Sequence, residues 1–188
     1  MRVIGVIGRN GSGKDEVLKY LRDRYGVPFL STGDMVREIA AREGRTPDRP
    51  TLQEISDSYF RKHGQGCFVK MVSDKIRENG WPVAGISGVR SPQDVRTLKE
   101  ALRGSFVLIA VTVTDPRVRF ERMRQRGEER DTDSYQRFLE QDAGEEHLFR
   151  VEEAAGMADY SLTNDGSLQD LHRAVADLVA RRGLLAAG

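Results

Sequence analysis

Short apolar, β-branched runs recur along the chain at 2–7, 27–31, 82–87, 105–113 and 158–163. Each is too brief for a helix and is bounded by turn residues, the signature of a strand. Between them lie longer stretches whose apolar positions repeat every three to four residues. This alternation predicts an α/β fold, a five-stranded parallel sheet covered by helices in three layers. The run Phe106-Val107-Leu108-Ile109-Ala110-Val111 is apolar without interruption, as a central strand buried on both faces requires. Helices are predicted over 14–25, 91–102, 115–127 and 167–182. Ser91 and Asp115 stand at cap positions, each followed by a proline suited to the first helical residue. In the last helix Leu168, Leu171, Val175, Leu178 and Val179 share one face, which suits it to packing on the sheet.

Two segments break the alternation. Residues 33–80 place two or three helices between the second and third strands, joined by the polar, proline-bearing stretch Gly44-Arg45-Thr46-Pro47-Asp48-Arg49-Pro50. They are expected to form a mobile insertion. Residues 117–147 are dense in both charges; Arg119, Arg122 and Arg126 fall near one helical face, with Arg130 just beyond. A solvated helix is the ordinary reason for such a run. The tail Leu184–Gly188 is expected to fray.

Composition narrows the function classes. A chain of 188 residues fits one domain, 1–188, with a core of its own. Thirty basic side chains against 29 acidic leave a net charge of +1, so no global field points to nucleic acid or a membrane surface. The single cysteine, Cys67, cannot close an internal disulfide and fits a reducing compartment. No apolar stretch approaches the roughly 20 residues of a spanning helix, and no leader pattern opens the chain, so a soluble cytoplasmic protein is expected. His63, His147 and His172 lack metal-ligand or triad spacing.

The chemistry begins directly after the first strand. Gly8-Arg9-Asn10-Gly11-Ser12-Gly13-Lys14 is a G-x-x-x-x-G-K run between a strand and a helix, the context of a phosphate-binding loop. Glycines let successive backbone N–H groups converge on a polyphosphate, and Lys14 adds a point charge. ATP is thus expected at Gly8, Asn10, Gly11, Ser12, Gly13 and Lys14. The common pattern continues with a Ser or Thr that ligates Mg²⁺; here the residue is Asp15. After the second strand, Ser31-Thr32-Gly33-Asp34-Met35-Val36-Arg37 should face the same cleft, because loops leaving the carboxyl ends of parallel strands line the ligand crevice. Thr32, Asp34 and Arg37 could hold a phosphorylated second substrate, with Asp34 orienting or deprotonating the attacking oxygen. They could equally form an N-cap with a solvated arginine.

The string from Ser31 to Arg37 resembles the S-T-G-D-M-L-R stretch of adenylate kinases, with Val36 for Leu. The resemblance gives Thr32 to the acceptor nucleotide and Arg37 to its phosphate. Ala84-Gly85-Ile86-Ser87-Gly88-Val89-Arg90-Ser91 is similar to the D-G-x-R-S segment of a P-loop family known mostly from archaea, described as adenylate-kinase-related or dephospho-CoA-kinase-like. Arg90 then becomes the second arginine on the acceptor phosphate, and Gln93 stands for the glutamine that reads acceptor adenine. Arg119 to Gly127 and Phe138-Leu139-Glu140-Gln141-Asp142 resemble the same family's arginine-rich lid, with Gln141 in place of its last Arg. The resemblance implies a lid over 117–147 in which Arg119 contacts the nucleotide and Arg122 and Arg126 stabilise the transferring group. Ala158 to Leu168 resembles the family's closing A-D-x-x-I-x-N-x-G-S-L segment and implies a donor-adenine contact for Asn164, though an ordinary turn has the same composition.

One departure matters. The family's Asp, which helps organise Mg²⁺, is replaced here by Ser87. The carboxylate is read as having moved to Asp15, which would carry the metal directly or through water. The alternative is that Asp15 only favours the positive end of its helix, worth about 0.3–1 kcal/mol. The whole chain is thus expected to be a nucleoside-monophosphate-kinase-like transferase using ATP and Mg²⁺. Its acceptor would be a small phosphate-bearing molecule, a nucleoside or deoxynucleoside monophosphate, at Thr32, Asp34, Arg37, Arg90 and Gln93. Two rivals stand beside it: dephospho-CoA-kinase-like transfer to a sugar hydroxyl, with Asp34 as a true base, and a regulatory nucleotide-binding module that is not a kinase.

Overall fold

The computed structural model describes residues 1–127 and 132–185; Arg130 and the last three residues of the tail lie outside them. Five strands form one parallel sheet: β1 (Arg2–Ile7), β2 (Phe29–Ser31), β3 (Val83–Ser87), β4 (Phe106–Thr112) and β5 (Tyr160–Thr163), in the order β2-β3-β1-β4-β5. Nine helices accompany them among the described residues: α1 (Lys14–Tyr25), α2 (Thr32–Arg42), α3 (Arg49–His63), α4 (Cys67–Glu78), α5 (Pro92–Leu102), α6 (Pro116–Arg126), α7 (Tyr135–Phe149), α8 (Val151–Gly156) and α9 (Leu168–Arg182). Ser91 and Ser167 close capping boxes with Asp94 and Asp170, which sets the first turns of α5 and α9.

Strand alternation sorts the core into two layers. Val3, Ile7, Ala84, Ile86, Phe106, Leu108 and Ala110 face one way and pack with α2, α4, α5 and α8. Ile4, Val6, Val107, Ile109, Val111 and Leu162 face the other way and pack with α1 and α9. The helices inserted between β2 and β3 are part of the first layer, since Val36, Ile39, Ile55, Phe68, Val72 and Ile76 join the same apolar cluster.

One local expectation is corrected. Leu184 is buried in the second layer instead of fraying, because α9 ends on Gly183 in the left-handed region and the chain turns back with the Leu184 amide on the Val179 carbonyl. A separate short helix, α8, follows α7 and is divided from it by Arg150 at φ 55°. β1 lies at the centre, its Arg2 opposite Val83 and its Val3 opposite Phe106. All five strands therefore deliver their carboxyl ends, and the loops that follow, to one edge of the sheet.

Candidate functional site

The loop after β1 makes the centre of that edge. Gly11 and Gly13 have φ 76° and 92°, a left-handed conformation that L side chains rarely adopt. A Cβ on Gly11 would come within 2.6 Å of the Arg119 carbonyl and one on Gly13 within 2.5 Å of the Asn164 amide nitrogen. The loop is therefore backed closely by α6 and by the turn after β5. Among the described residues the amides of Gly11, Gly13 and Asp15 donate to no protein acceptor. With the N-terminus of α1 behind them, they form an anion cradle that fits a nucleotide polyphosphate. Ser12 is buried, and its hydroxyl has no partner among the described residues.

Asp15 opens α1 with a half-exposed carboxylate. Its Oδ1 accepts a hydrogen bond from the Ser87 hydroxyl at 2.9 Å, and its Oδ2 lies 3.8 Å from Lys14 Nζ. Asp15 in the loop and Ser87 at the end of β3 thus meet across 72 positions. The described residues hold no cluster of three His, Cys, Asp or Glu that could cage a metal. A single carboxylate with a neighbouring hydroxyl is an oxygen set that fits Mg²⁺, an ion that keeps several waters and takes the rest of its shell from phosphates.

Beside the loop lies a cavity of about 770 Å³, lined by Thr32, Gly33, Arg37, Arg90 and Ser91 from the strand ends and by α3 on its opposite wall. Its geometry shows that Asp34 is committed locally. Asp34 Oδ2 accepts the Ser31 amide at 2.8 Å, the Ser31 hydroxyl accepts the Asp34 amide at 3.0 Å, and Asp34 Oδ1 accepts Arg37 Nη2 at 2.6 Å. Burial pushes this carboxyl up, but Arg37 and the Ser31 hydrogen bonds outweigh it and leave it below the ordinary range. Asp94 plays the equivalent part in α5, accepting the amides of Arg90 and Ser91. There burial wins and the carboxyl is raised. Gln93 does not line the cavity; its amide donates to Thr97 along α5. Gln53 and Gln65 line it instead, with Arg49.

The arginines of α6 and the turn after β5 pack around the phosphate loop. Arg119 is 4 % exposed, and its guanidinium forks onto Asp142 at 2.7 and 2.8 Å, lies over the Phe138 ring and donates to the Asn10 carbonyl. Arg122 donates to the carbonyls of Asn164 and Gly166, both at 2.9 Å. Asn164 is 5 % exposed and gives its amide to the Ser12 carbonyl at 2.8 Å. Arg119 and Asn164, read from sequence as nucleotide contacts, are both buried, and each donates to a backbone carbonyl of the phosphate loop. Arg126 ends α6 in an exposed position.

Sequence reasoning missed a second support. Arg9 binds Asp142 at 2.6 Å, Glu146 at 3.2 Å and Glu152 at 2.7 Å, while Asn10 donates to Glu145 at 2.8 Å. The spacing of Asp142, Glu145 and Glu146 on one helical face was the available signal; its partner was not.

The chain has relatives and structural counterparts among known proteins. Residues 7–138 match a family model described as an AAA domain. A UPF0200 protein from Thermococcus onnurineus is 35 % identical over 181 residues, covering 95 % of this chain and 97 % of the relative. One from Thermococcus kodakarensis is 34 % identical over 179 residues, covering 94 % and 96 %. Among solved structures, a gluconokinase from Sinorhizobium meliloti superposes with a TM-score of 0.60 at 17 % identity, covering 96 % of this chain and 93 % of that one. A shikimate kinase from Acinetobacter baumannii in complex with shikimate gives 0.58 at 17 % identity, covering 97 % and 94 %. The fold is therefore that of P-loop kinases. No helix of the described residues is long and apolar enough to cross a membrane. With its phosphate loop, parallel sheet and end-to-end similarity in hand, the chain belongs to the UPF0200 family and carries the fold of P-loop kinases.

Proposed function

We propose that the protein is an ATP- and Mg²⁺-dependent phosphotransferase whose acceptor is a small phosphate-bearing molecule, a nucleoside or deoxynucleoside monophosphate. One observation carries the reading: a phosphate loop opens beside a cavity lined by Arg37 and Arg90, while the only carboxylate at the second strand end, Asp34, is held low and spent on a cap and an ion pair. An acceptor hydroxyl would call for a base there. An acceptor phosphate is already anionic and needs guanidiniums, which are what the cavity presents.

In this mechanism the backbone amides of Gly11, Gly13 and Asp15 hold the donor phosphates, and Lys14 adds charge where it develops during in-line transfer. Arg37 and Arg90 fix the acceptor phosphate, with Thr32 beside them, so that positioning supplies most of the rate. Asp15, steadied by Ser87, would hold Mg²⁺ directly or through water; the ion would neutralise charge on the bridging phosphate oxygens. Arg119, Arg122 and Asn164 act by holding the loop. Arg126, at the exposed end of α6, is the lid arginine we assign to the transferring group.

A screen of nucleoside and deoxynucleoside monophosphates with ATP and Mg²⁺, reading ADP formation, tests this. Turnover no higher than basal hydrolysis with every acceptor would overturn it and leave the regulatory module. The structural neighbours favour a second reading, since shikimate and gluconate carry no phosphate. Asp34→Asn separates the two: a hydroxyl acceptor predicts a fall of several orders in turnover at unchanged binding.

A further inference from the structure

The far wall of the cavity carries a charge that a single acceptor phosphate leaves unanswered. Arg49, Leu52, Gln53, Ser56 and Phe60 all line the cavity from α3, and their spacing of three and four residues puts them on one helical face. From Arg49 to Phe60 that face runs about 16 Å at 1.5 Å per residue. The Phe60 end is closed by Phe68 of α4, ring against ring at 5.3 Å. The Arg49 end is exposed.

The charges around Arg49 are distributed unevenly. Arg45, on the same connection, is ion-paired to Glu43 and Glu54. Arg37 is ion-paired to Asp34. Among the described residues Arg49 and Arg90 form no ion pair, and the one carboxylate lining the cavity, Asp94, is occupied by two backbone amides. Asp48, next to Arg49, is occupied by the Thr51 amide as the cap of α3. The cavity thus holds three guanidiniums, and α3 separates the third from its apolar end by a full helical face. We infer that the acceptor is doubly anchored: one anionic group sits on Arg37 and Arg90 and a second anionic group, phosphate or carboxylate, on Arg49. The planar or apolar body between them lies along Gln53, Ser56 and Phe60.

This inference rests on the phosphate-acceptor reading, and a binding measurement without ATP tests it apart from turnover. The probes are adenosine 5′-monophosphate, the 2′,5′- and 3′,5′-bisphosphates of adenosine, and adenylosuccinate, titrated calorimetrically at one ionic strength. At least one bisphosphate, or adenylosuccinate, should bind roughly tenfold or more tightly than the monophosphate, as a charge-assisted contact implies. Arg49→Ala should erase that gain and leave the monophosphate unchanged, and Arg49→Lys should restore part of it. The bisphosphate arm and the carboxylate arm distinguish the two chemistries. Equal affinity for singly and doubly anionic probes, or a gain that survives Arg49→Ala, overturns the inference. Because Arg49 is exposed, an unchanged thermal midpoint in the variant separates lost binding from lost folding. Failure of the phosphotransfer reading would appear instead as absent ADP formation with every acceptor, a readout this titration does not use.

Discussion

Two sets of arginines flank the same phosphate loop and are held in opposite ways. On the side of α6 and α7, Arg9, Arg119 and Arg122 are committed to carboxylates or carbonyls, and Arg119 is buried. On the side of α2 and α3, Arg37, Arg49 and Arg90 line an open cavity, and two of them form no ion pair among the described residues. A guanidinium with its donors spent on the protein shapes the site; one left facing a cavity has donors to give a ligand. Both sets look alike in sequence, as basic residues near family motifs, and only the partners divide them.

The division can be broken first at the buried pair. Removing one partner of a buried ion pair costs about 3–5 kcal/mol, so Arg119→Ala or Asp142→Ala should lower stability in denaturant titration by that order. Arg37→Ala, exposed, should cost less than about 1 kcal/mol. Equal losses would erase the contrast. Acid sharpens it further. Burial pushes the Asp142 carboxyl up, but Arg119 and Arg9 outweigh it and hold it below its ordinary value. Its contribution is therefore complete above the unfolded carboxylate value of about 4 and is lost as pH falls through the lower folded value. A parent protein and an Asp142→Asn variant should differ most near neutrality and converge in acid.

Lys14→Ala comes next. It should cut turnover by roughly 10²–10³, about 2.7–4 kcal/mol, while the unfolding midpoint stays near that of the parent. A variant that kept full turnover would remove the loop lysine from the chemistry. Arg90→Ala should then weaken the acceptor by about 1.5–3 kcal/mol and leave ATP affinity unchanged, as separate titrations of the two ligands would show. Equal weakening of both would mean that the cavity side is not the acceptor side.

The smallest expected effect is the most specific. Asp15→Ala should raise the Mg²⁺ concentration for half-maximal turnover, and Ser87→Asp added to it should recover much of the loss. A cycle of parent, both singles and the double should give a coupling of at least about 0.5 kcal/mol. An unchanged Mg²⁺ midpoint in Asp15→Ala would reduce Asp15 to a helix-end charge.

What the sequence made legible follows from the range of each signal. The strands, α1 and the phosphate loop were readable because apolar runs, glycine spacing and caps act over a few residues; α1 was expected over 14–25 and is found at Lys14–Tyr25. Ser31 and Asp34 were readable as a cap, and the structure adds Arg37 to the same cluster. The Asp15 and Ser87 meeting was anticipated only because two departures from one family pattern suggested compensation. The hydrogen bonds of Arg119 and Asn164 were not readable because their partners, Asp142 and the Ser12 carbonyl, lie 23 and 152 positions away. No local pattern reports which acceptor a buried donor will find. Arg49 was passed over as part of a polar connection, although the three-and-four spacing through Phe60 was present in the chain.

The position of β1 has a consequence for how the protein comes into being. Its strand partners begin at Val83 on one side and Phe106 on the other, so the segment ending in the phosphate loop cannot acquire its native neighbours until about a hundred further residues have been made. At ribosomal speeds of about 5–20 residues per second that interval is roughly 5–20 s. Throughout it the apolar stretch Val3-Ile4-Gly5-Val6-Ile7 has no sheet to enter, and long-range parallel pairing is slow even once both partners exist. For that interval the nascent chain carries an apolar strand without its native partners, which makes β1 a stretch open to a holdase chaperone and to aggregation during synthesis.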